Sequence, residues 1–312
     1  MPQVDFPSDG AWAKNRWKRR LRHYLSHLDF AERQQTAAGE LFPLSRLLTH
    51  SRPKNEALIR SLCRSVYLGD SRAICRVLGR YKMYVDSQDV GLSSHLMIDG
   101  YWEMWVTETM ARLIKPGMVV ADIGANLGYF TLMMGDLVGP AGWVHAFEPN
   151  PPIVERLRHS VSINEGYQRT TVHQVALADH DGEAHMFVPT SEPKNASLVT
   201  HPDPACTIPV PVRRLDSLEG MDRLDFIKID VEGAEEALWR GMDRLLGSDR
   251  PLTILLEFAA VRYADPERFI DDILRRKFSL SLIQFDGRAT TLDKAALLSL
   301  PRDQDQMLLL QR

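Results

Sequence analysis

The residues that could do chemistry begin with a glycine-containing loop near the middle of the chain. Asp122 follows the apolar run 119–121, and Gly124 and Gly128 punctuate the loop before a predicted helix near 130–138. This order predicts a strand, a tight loop and a helix, a unit that brings backbone N–H groups and a helix N-terminus close to a bound ligand. The residues predicted to hold that ligand are Asp122, Gly124, Ala125, Asn126 and Gly128.

A second acidic residue lies at the distance expected of a ribose ligand. Glu148 comes twenty residues after Gly128, at the end of the apolar run 143–147. A carboxylate placed there can accept hydrogen bonds from both hydroxyls of a ribose. The two features together indicate a cofactor that contains adenosine, and we expect Asn150 and Leu177 to lie near the same cofactor.

The loop also discriminates between adenosine-containing cofactors. A dinucleotide site uses three glycines in the order G-x-G-x-x-G, and the middle glycine clears space for a pyrophosphate. Here Asp122 is followed by Gly124 and then by Gly128, so that pattern is absent. Asp122 would repel a pyrophosphate but could face the amino group or the sulfonium of S-adenosyl-L-methionine. The sequence therefore favours S-adenosyl-L-methionine, and an oxidoreductase that binds a dinucleotide is the alternative.

Charged residues interrupt what should be a buried strand at 225–230. Lys228 and Asp230 lie two positions apart and therefore on one face of that strand. Burying two charges is costly unless they pair with each other or take part in chemistry. Lys228 is interpreted either as a structural partner of Asp230 or as a functional group. Asp230 lies where the amino group of the methyl donor or the acceptor hydroxyl should sit.

Candidates for a general base follow the predicted strands. A hydroxyl that attacks a methyl group must lose its proton, so a nearby carboxylate can act as the base. The predicted catalytic residues are Asp230, Glu232 and Glu257. Glu232 has an alternative interpretation as an acid in the first turn of the next helix, where it would complement the helix dipole. His173 and His201 are further candidates, although a lone histidine is more often structural.

The three carboxylates would also suit a divalent cation. Such an ion would lower the pKa of the acceptor hydroxyl. Nothing in the spacing of the carboxylates requires it, so no metal ligand is predicted.

The elements that must position these residues alternate along the chain. Apolar runs predict seven strands with helices between them, which is typical of an α/β fold with a doubly wound, mostly parallel seven-stranded sheet. Ligands bind beyond the carboxyl ends of the strands in such sheets. The short connection at Asp286 and Gly287 indicates that one of the last two strands runs antiparallel. The predicted strands are 118–122, 143–147, 171–176, 225–230, 252–257, 278–285 and 306–311, and the predicted helices are 101–114, 130–138, 151–164, 233–246 and 266–276.

The first part of the chain has a different pattern. Residues 11–80 are predicted to be helical, and residues 81–100 to form a short β element and a turn. Six basic residues fall within 14–22 with no acid among them, and apolar residues recur there at helical spacing. This basic amphipathic helix is interpreted as a helix packed on its own core, a homodimer contact, a lid over the site, or a dock for an acidic glycan or lipid head group.

The predicted domains follow from these patterns. We expect an N-terminal helical extension over 1–80 and a second domain over 81–312. The proline-rich stretch 188–212 breaks the alternation of strands and helices and is predicted to be a loop or hairpin insertion above the sheet.

Composition narrows the class of protein. The chain has 312 residues, of which 44% are hydrophobic and 25% charged, and its formal net charge is −3. So small a net charge argues against nucleic acid as a partner. Three scattered cysteines without a CxxC pair indicate a reducing compartment. The sequence contains no run of about 18 apolar residues, so no transmembrane segment is predicted. We therefore expect a cytoplasmic protein.

Three sequence blocks together resemble the FkbM family of class I S-adenosylmethionine-dependent methyltransferases. The blocks are 122–131, 146–149 and 226–235, and weaker matches lie at 100–103, 195–198 and 255–257. The resemblance covers roughly 80–285. It implies a class I methyltransferase fold with S-adenosyl-L-methionine as cofactor.

The resemblance also implies a reaction. Members of the family O-methylate hydroxyls of sugars, surface glycans or natural products, so the expected partner is a small-molecule or glycan acceptor. One alternative is a non-catalytic protein that binds S-adenosylmethionine. Another is an N-methyltransferase, although the Asn-Pro-Pro-Tyr-like motif of amino methylases is missing at the fourth strand.

Overall fold

The computed structural model describes residues 41–165, 167–189, 197–198 and 204–312, and the parallel sheet expected from the sequence lies at its centre. The basic segment 14–22 and His201 lie outside the described residues. The interpretations given above for that segment therefore remain predictions.

Helices and strands alternate along most of the described chain. The helices are α1 (Arg46–Thr49), α2 (Arg52–Leu62), α3 (Leu92–Ile98), α4 (Met104–Leu113), α5 (Tyr129–Leu137), α6 (Pro151–Ser162), α7 (Glu235–Gly241), α8 (Asp243–Leu246), α9 (Pro266–Arg275) and α10 (Lys294–Leu298). The strands are β1 (Ser65–Gly69), β2 (Arg72–Val77), β3 (Tyr81–Asp86), β4 (Val119–Ile123), β5 (Trp143–Phe147), β6 (Thr170–His173), β7 (Ala176–Leu177), β8 (Gly182–Pro189), β9 (Pro204–Arg213), β10 (Phe226–Ile229), β11 (Thr253–Phe258), β12 (Ser279–Ile283), β13 (Ala289–Thr291) and β14 (Gln306–Gln311). Within the described residues, no helix combines the length and the apolar composition needed to cross a membrane.

The main sheet has eight strands in the order β13-β12-β14-β11-β10-β4-β5-β6. Strands β6, β5, β4, β10 and β11 run parallel, whereas β14 runs antiparallel to both β11 and β12. β5 and β6 lie on one side of β4, and β10 and β11 lie on the other, so the strand order reverses between β4 and β10. Ligands in open α/β sheets bind beyond the carboxyl ends of the strands at such a reversal.

The α/β class, the doubly wound sheet and the antiparallel strand near the C-terminus are confirmed. The number of strands predicted for the sheet is wrong, because β13 adds an eighth strand at the edge. All three residues of β13 are exposed, so no apolar alternation marks them in the sequence. The predicted strand 171–176 is also two strands, since β6 ends at His173 and β7 belongs to a different sheet.

The helix predicted at 233–246 begins later and is interrupted. Glu232 and Gly233 have φ values of 53° and 99°, which lie outside the helical region, and α7 starts only at Glu235. Met242 then separates α7 from α8. By contrast, α9 begins as predicted, because the side chain of Asp265 accepts the N–H of Arg268 at 2.9 Å.

The helical prediction for 11–80 is wrong over β1 and β2. These strands pair with β3 in an antiparallel three-stranded sheet. In β2, Ala73, Cys75 and Val77 are buried while the residues between them are not, which is the period of a strand rather than of a helix. The predicted domain boundary after residue 80 therefore falls inside this sheet, and Phe42–Arg312 form one compact unit. The turn predicted within 81–100 also contains a helix, α3.

The proline-rich insertion is a hairpin, as predicted. β8 pairs antiparallel with β9, and β9 pairs parallel with β7. Ser197 forms a β-bridge with Phe187 of β8. This bridge places Ser197 above the carboxyl ends of the main sheet, where it contacts the loop after β10.

Candidate active site

The glycine loop after β4 is closed by hydrogen bonds within the protein. The N–H groups of Gly124 and Ala125 donate to the carbonyl of Phe147, and the N–H of Gly128 donates to the carbonyl of Ala125. The N–H of Asn126 donates to the carboxylate of Glu148, and the N–H of Leu127 donates to the side chain of Asn126. These hydrogen bonds fix the shape of the loop. Gly124, Ala125 and Asn126 also line the cavity, so their predicted contact with a cofactor stays a prediction. A dinucleotide would need free N–H groups here for its pyrophosphate, so the loop does not suit one.

Asp122 was expected to face the ligand, but it is buried beneath the cavity. Its Oδ2 accepts the hydroxyl of Thr131 in α5 at 2.5 Å, and its Oδ1 lies 4.0 Å from Nζ of Lys228. Burial raises the pKa of Asp122 above its ordinary value, although Lys228 and Thr131 oppose the shift. Asp122 thus ties β4 to α5 and β10, and it does not line the cavity.

Glu148 follows β5 and lines the cavity where a ribose ligand was predicted. Its Oε1 accepts the N–H of Asn150 at 2.9 Å, and its Oε2 accepts the N–H of Asn126 at 3.0 Å. Burial raises the pKa of Glu148 to about 7, and the two N–H groups partly offset this shift. Each carboxylate oxygen has a further lone pair, so Glu148 can still accept two hydroxyls from a ligand.

Three other predicted cofactor residues take different positions. Leu177 is part of the cavity wall. Asn150 is buried at the start of α6 and supports Glu148 through its N–H. Gly128 has a φ of 96° and packs against Leu157, where a β-carbon would lie 2.4 Å from the Leu157 Cδ1 atom. Asn150 and Gly128 therefore shape the cavity from behind rather than line it.

Lys228 and Asp230 form the ion pair that their spacing suggests. The Nζ of Lys228 lies 3.1 Å from Oδ2 of Asp230 and 5.1 Å from the ring centre of Phe130. Burial would lower the pKa of Lys228, but Asp230 and Asp122 outweigh burial and raise it above its ordinary value. Lys228 therefore stays charged between two carboxylates, which favours the structural interpretation of this residue.

Asp230 and Glu257 are hydrogen-bonded at the carboxyl ends of β10 and β11. Burial alone would raise the pKa of Asp230, but Lys228 holds it below its ordinary value. Burial and the charge of Asp230 raise the pKa of Glu257 to about 9. Glu257 therefore carries the shared proton near neutral pH, and Asp230 is the ionised member of the pair.

Glu232 lies in a loop rather than in a helix. Its carbonyl accepts the hydroxyl of Ser197 at 2.6 Å, and its Oε2 lies 3.3 Å from Nη2 of Arg262. The first-turn acids of α7 are Glu235 and Glu236, and the Oε1 of Glu235 also accepts the N–H of Gly233 at 3.2 Å. The interpretation of Glu232 as a helix-dipole acid is therefore wrong, and its side chain lines the cavity.

Arg262 is a site residue that sequence reasoning missed. It ends the short 3-10 helix Ala260–Arg262, and its guanidinium contacts Glu257 at 2.7 Å and Asp305 at 3.0 Å, besides Glu232. Burial would lower the pKa of Arg262, but its bond with Glu257 helps to raise it. Arg262 and Asp305 both lie in connections without periodic apolar residues, so no signal in the sequence marks either one.

Trp102, Glu103, Ser197 and Leu198 also line the cavity. None was predicted as a site residue, yet all four fall within the weaker family matches at 100–103 and 195–198. Glu103 has a left-handed backbone at the start of α4, with a φ of 36°. Those two short matches were therefore the signal that could have found these residues.

The cavity between these groups has a volume of about 280 Å³ and carries a surplus of negative charge. Its carboxylates are Glu103, Glu148, Asp230, Glu232, Glu257 and Asp305, and its cations, within the described residues, are Lys228 and Arg262. Both cations are already paired with carboxylates. This environment suits a ligand with an amino group and a sulfonium, and it disfavours a pyrophosphate. The residues present therefore fit S-adenosyl-L-methionine.

The position of His173 does not favour it as the general base. His173 lies outside the cavity, with its ring stacked on Phe147 at 4.5 Å and its Nε2 atom 3.1 Å from Nδ1 of His145. Burial lowers the pKa of His173. His201 lies outside the described residues. In the part of the chain that the structure describes, no group of three or more histidine, cysteine, aspartate or glutamate side chains is arranged to hold a metal ion.

Several methyltransferases match part of the chain. Methyltransferase sdnD of Sordaria araneosa is 25% identical over 156 residues, which cover 40% of this chain and 60% of the relative. The 31-O-demethyl-FK506 methyltransferase FkbM of Streptomyces tacrolimicus is 29% identical over 162 residues, which cover 42% of this chain and 61% of the relative. The chain thus spans about 60% of the length of these curated relatives.

Solved structures also resemble the chain, with low TM-scores. Methyltransferase FkbM from Methylobacillus flagellatus KT has a TM-score of 0.41 and 18% identity, over 62% of this chain and 43% of that chain. The M. jannaschii TYW2 structure in complex with AdoMet has a TM-score of 0.42 and 13% identity, over 79% of this chain and 88% of that chain.

The family model described as the methyltransferase FkbM domain matches residues 122–279. This segment is just over half of the 312 residues. It runs from the buried Asp122 through Glu148 and Asp230 to Glu257, and so includes both ends of the cavity. The chain therefore belongs to the FkbM methyltransferase family.

Proposed function

We propose that the protein is an S-adenosyl-L-methionine-dependent O-methyltransferase that acts on a hydroxyl of a sugar, a surface glycan or a natural product. One observation carries the proposal. An ionised Asp230 and the ion-paired Glu232 face the same cavity as Glu148, so groups suited to a cationic adenosyl ligand and groups suited to a hydroxyl share one space. S-adenosyl-L-methionine would supply an electrophilic methyl group on its sulfonium.

The end of the cavity at β4 and β5 is proposed to hold the donor. Glu148 would accept the ribose hydroxyls, and Asp230 would face the amino group. Leu177 and Phe147 line the same end and offer apolar surface for the adenine ring. The glycine loop contributes its shape, because Gly124 lets it approach the loop after β10.

The end at β10 and β11 is proposed to hold the acceptor. Glu232 and Asp230 are the candidates for the base that takes the hydroxyl proton. Glu257 is less suited at neutral pH, because burial and the charge of Asp230 raise its pKa to about 9. Positioning of the hydroxyl next to the methyl group is the larger part of catalysis, and the rigid strand ends supply it.

The acceptor class is supported by the lining and by the relatives. Trp102 offers an aromatic face beside the carboxylates of Glu103 and Glu232, which can accept hydrogen bonds from several hydroxyls. The Streptomyces relative is named for a hydroxyl left by O-demethylation of FK506. A polyhydroxylated acceptor, either a glycan or a natural product, suits both features.

Transfer of a labelled methyl group tests the proposal. The full chain would be incubated with S-adenosyl-L-methionine labelled in its methyl group and with extracts of cell glycans and metabolites. We expect label on oxygen, and we expect Asp230→Asn to lower its amount. Label on nitrogen would support the N-methyltransferase alternative. Binding of the donor without any transfer would support a non-catalytic protein.

The location and assembly of the protein belong to the same proposal. We propose that it works in the cytoplasm as a homodimer that pairs through the helices predicted for its N-terminal segment. The free, buried thiols of Cys63 and Cys75 support a reducing compartment. Cell fractionation and light scattering of the full chain would test these two points.

A further inference from the structure

A guanidinium lies at the centre of the acceptor end of the cavity. Nitrogens of Arg262 lie 2.7 Å from Glu257, 3.3 Å from Glu232 and 3.0 Å from Asp305. These carboxylates come from the end of β11, the loop after β10 and the loop before β14, respectively. Arg262 therefore connects the last part of the chain to the residues assigned above to catalysis.

The orientation of Glu232 depends on its neighbours. A φ of 53° is unfavourable for a residue with a side chain, and such conformations persist only where the surroundings hold them. Ser197 binds the carbonyl of Glu232 at 2.6 Å, and Arg262 binds its carboxylate. The backbone and the side chain of Glu232 are thus held from two sides.

Arg262 and the carboxylates around it shift the pKa of Glu257 in opposite directions. Asp230 and Asp305 both raise the pKa of Glu257, and the hydrogen bond from Arg262 lowers it. Arg262 also helps Lys228 to keep the pKa of Asp230 low. Loss of Arg262 would leave several carboxylates in one small volume, where like charges favour protonation.

We propose that Arg262 is a positioning residue for methyl transfer, which holds the carboxylates of Glu232 and Glu257 in place for the acceptor, with Asp305 as the outer anchor of the same guanidinium. The inference rests on the proposed function, because that function places the acceptor at this end. Glu148 lies at the other end of the cavity, and Asp230 keeps its ion pair with Lys228 when Arg262 is replaced, so donor affinity is a separate readout.

Methyl transfer to a panel of p-nitrophenyl glycosides, measured against pH, tests the proposal. Arg262→Gln should lower kcat about 100-fold and move the acidic limb of the kcat profile up by about one pH unit. Its Kd for S-adenosyl-L-methionine should stay within about threefold of the wild-type value. Arg262→Lys keeps the charge without the two-pronged geometry, so it should restore the pH profile but only part of kcat.

Arg240→Gln is the matched control. Arg240 in α7 also binds two carboxylates, those of Asp179 and Glu236, each at 3.0 Å, and none of these residues lines the cavity. This variant should behave as the wild type. Equal losses in Arg240→Gln and Arg262→Gln, or a lower kcat without a shift of the acidic limb, would overturn the proposal.

Asp305→Asn provides a test that does not require Arg262 to be removed. Asp305 raises the pKa of Glu257, so Asp305→Asn should lower the pH at which the Glu257 carboxyl titrates, opposite to the effect of Arg262→Gln. A titration midpoint of Glu257 that stays in place or rises in Asp305→Asn would contradict the role of Asp305 as outer anchor.

A readout without an acceptor separates this inference from the proposed function. If the wild type methylates none of the glycosides, the proposed function fails for that panel. The role of Arg262 is then read from the titration of the Glu257 carboxyl carbon by NMR in the full chain. The midpoint should rise in Arg262→Gln and fall in Asp305→Asn, and unchanged midpoints in both variants would refute the inference.

Discussion

Gly124 and Asp230 touch through their backbones at the point where the strand order reverses. A β-carbon added to Gly124 would lie 1.7 Å from the carbonyl oxygen of Asp230, and Gly124 has a φ of 78°. No side chain fits such a contact, so the glycine brings the donor end and the acceptor end of the cavity together. The position of Asp230, and with it the Lys228–Asp230–Glu257 arrangement, depends on this contact.

Gly124→Ala should therefore separate the loops after β4 and β10. We expect a large loss of unfolding free energy and of affinity for S-adenosyl-L-methionine, measured by urea unfolding and calorimetry. Gly117→Ala is the control, because Gly117 has a similar φ of 88° but nothing within 4 Å of its added β-carbon. That variant should lose only about 1 kcal/mol, from backbone strain, and bind normally. Equal behaviour of the two variants would show that the contact is unimportant.

Glu232→Gln should separate proton transfer from donor binding. The change keeps size and removes basicity, so turnover should fall by about 10²–10⁴-fold while the affinity for S-adenosyl-L-methionine barely changes. Asp230→Asn should lower both quantities, because Asp230 also faces the donor in the proposed arrangement. Steady-state kinetics and calorimetry of the two variants measure these effects. Nearly full turnover in Glu232→Gln would move the assignment of the base to Asp230 or Glu257.

The raised pKa values in the cavity predict how stability depends on pH. Burial raises the pKa of Glu257 to about 9 and that of Glu148 to about 7, so the folded protein binds these protons more tightly than the unfolded chain does. This stabilisation is complete below the unfolded pKa of about 4.5 and is lost as pH rises through the folded values. The contribution of these two groups to the unfolding free energy of the ligand-free protein should therefore fall between about pH 4.5 and about pH 9.

Urea unfolding of variants at several pH values shows which residue causes this dependence of the unfolding free energy on pH. In Glu257→Gln the unfolding free energy should fall less steeply with pH, because Gln does not titrate. Glu155→Gln, at an exposed position of α6, should keep the wild-type slope. A decline of the same slope in Glu257→Gln, or a stability that rises over this range, contradicts the charge distribution described here.

Truncation at two positions should give opposite outcomes. A chain that starts at residue 41 keeps β1, β2 and β3 together and should unfold cooperatively and bind S-adenosyl-L-methionine. A chain that starts at residue 76 lacks Ile59, Ala73 and Cys75, which are buried, and leaves β3 without its partner strand. It should lose cooperative folding, as seen in thermal melts by circular dichroism. Cooperative melting of the shorter chain would restore residue 80 as a domain boundary.

Local sequence patterns were sufficient to predict the site residues that follow buried strands. Glu148, Asp230 and Glu257 each follow a mostly apolar run, and the parallel sheet brings the ends of such runs to one edge. The ion pair of Lys228 with Asp230 could be predicted for the same reason, since two charges on one face of a buried strand need partners.

The remaining features depend on tertiary contacts. Arg262 and Asp305 meet only because a short helix after β11 and the loop before β14 are adjacent in space. The internal hydrogen bonds of Gly124 and Ala125 could not be predicted from the loop alone, because their acceptor, the carbonyl of Phe147, belongs to the neighbouring strand. Asp122 was expected to face the ligand, and only the position of Thr131 on α5 shows that it points into the core.

Calorimetric titration of the full chain tests the central claim, that the cavity holds an adenosyl sulfonium, most directly. S-adenosyl-L-methionine should bind with micromolar affinity, about −8 kcal/mol, and NAD should give no comparable signal. Above the pKa of Glu148, Glu148→Ala should weaken binding of S-adenosyl-L-methionine by about 1.5–3 kcal/mol, because the ribose hydroxyls lose a charged acceptor. Glu155→Ala, at an exposed position, should leave it unchanged. Preferential binding of NAD, or an unchanged affinity in Glu148→Ala, would contradict the account.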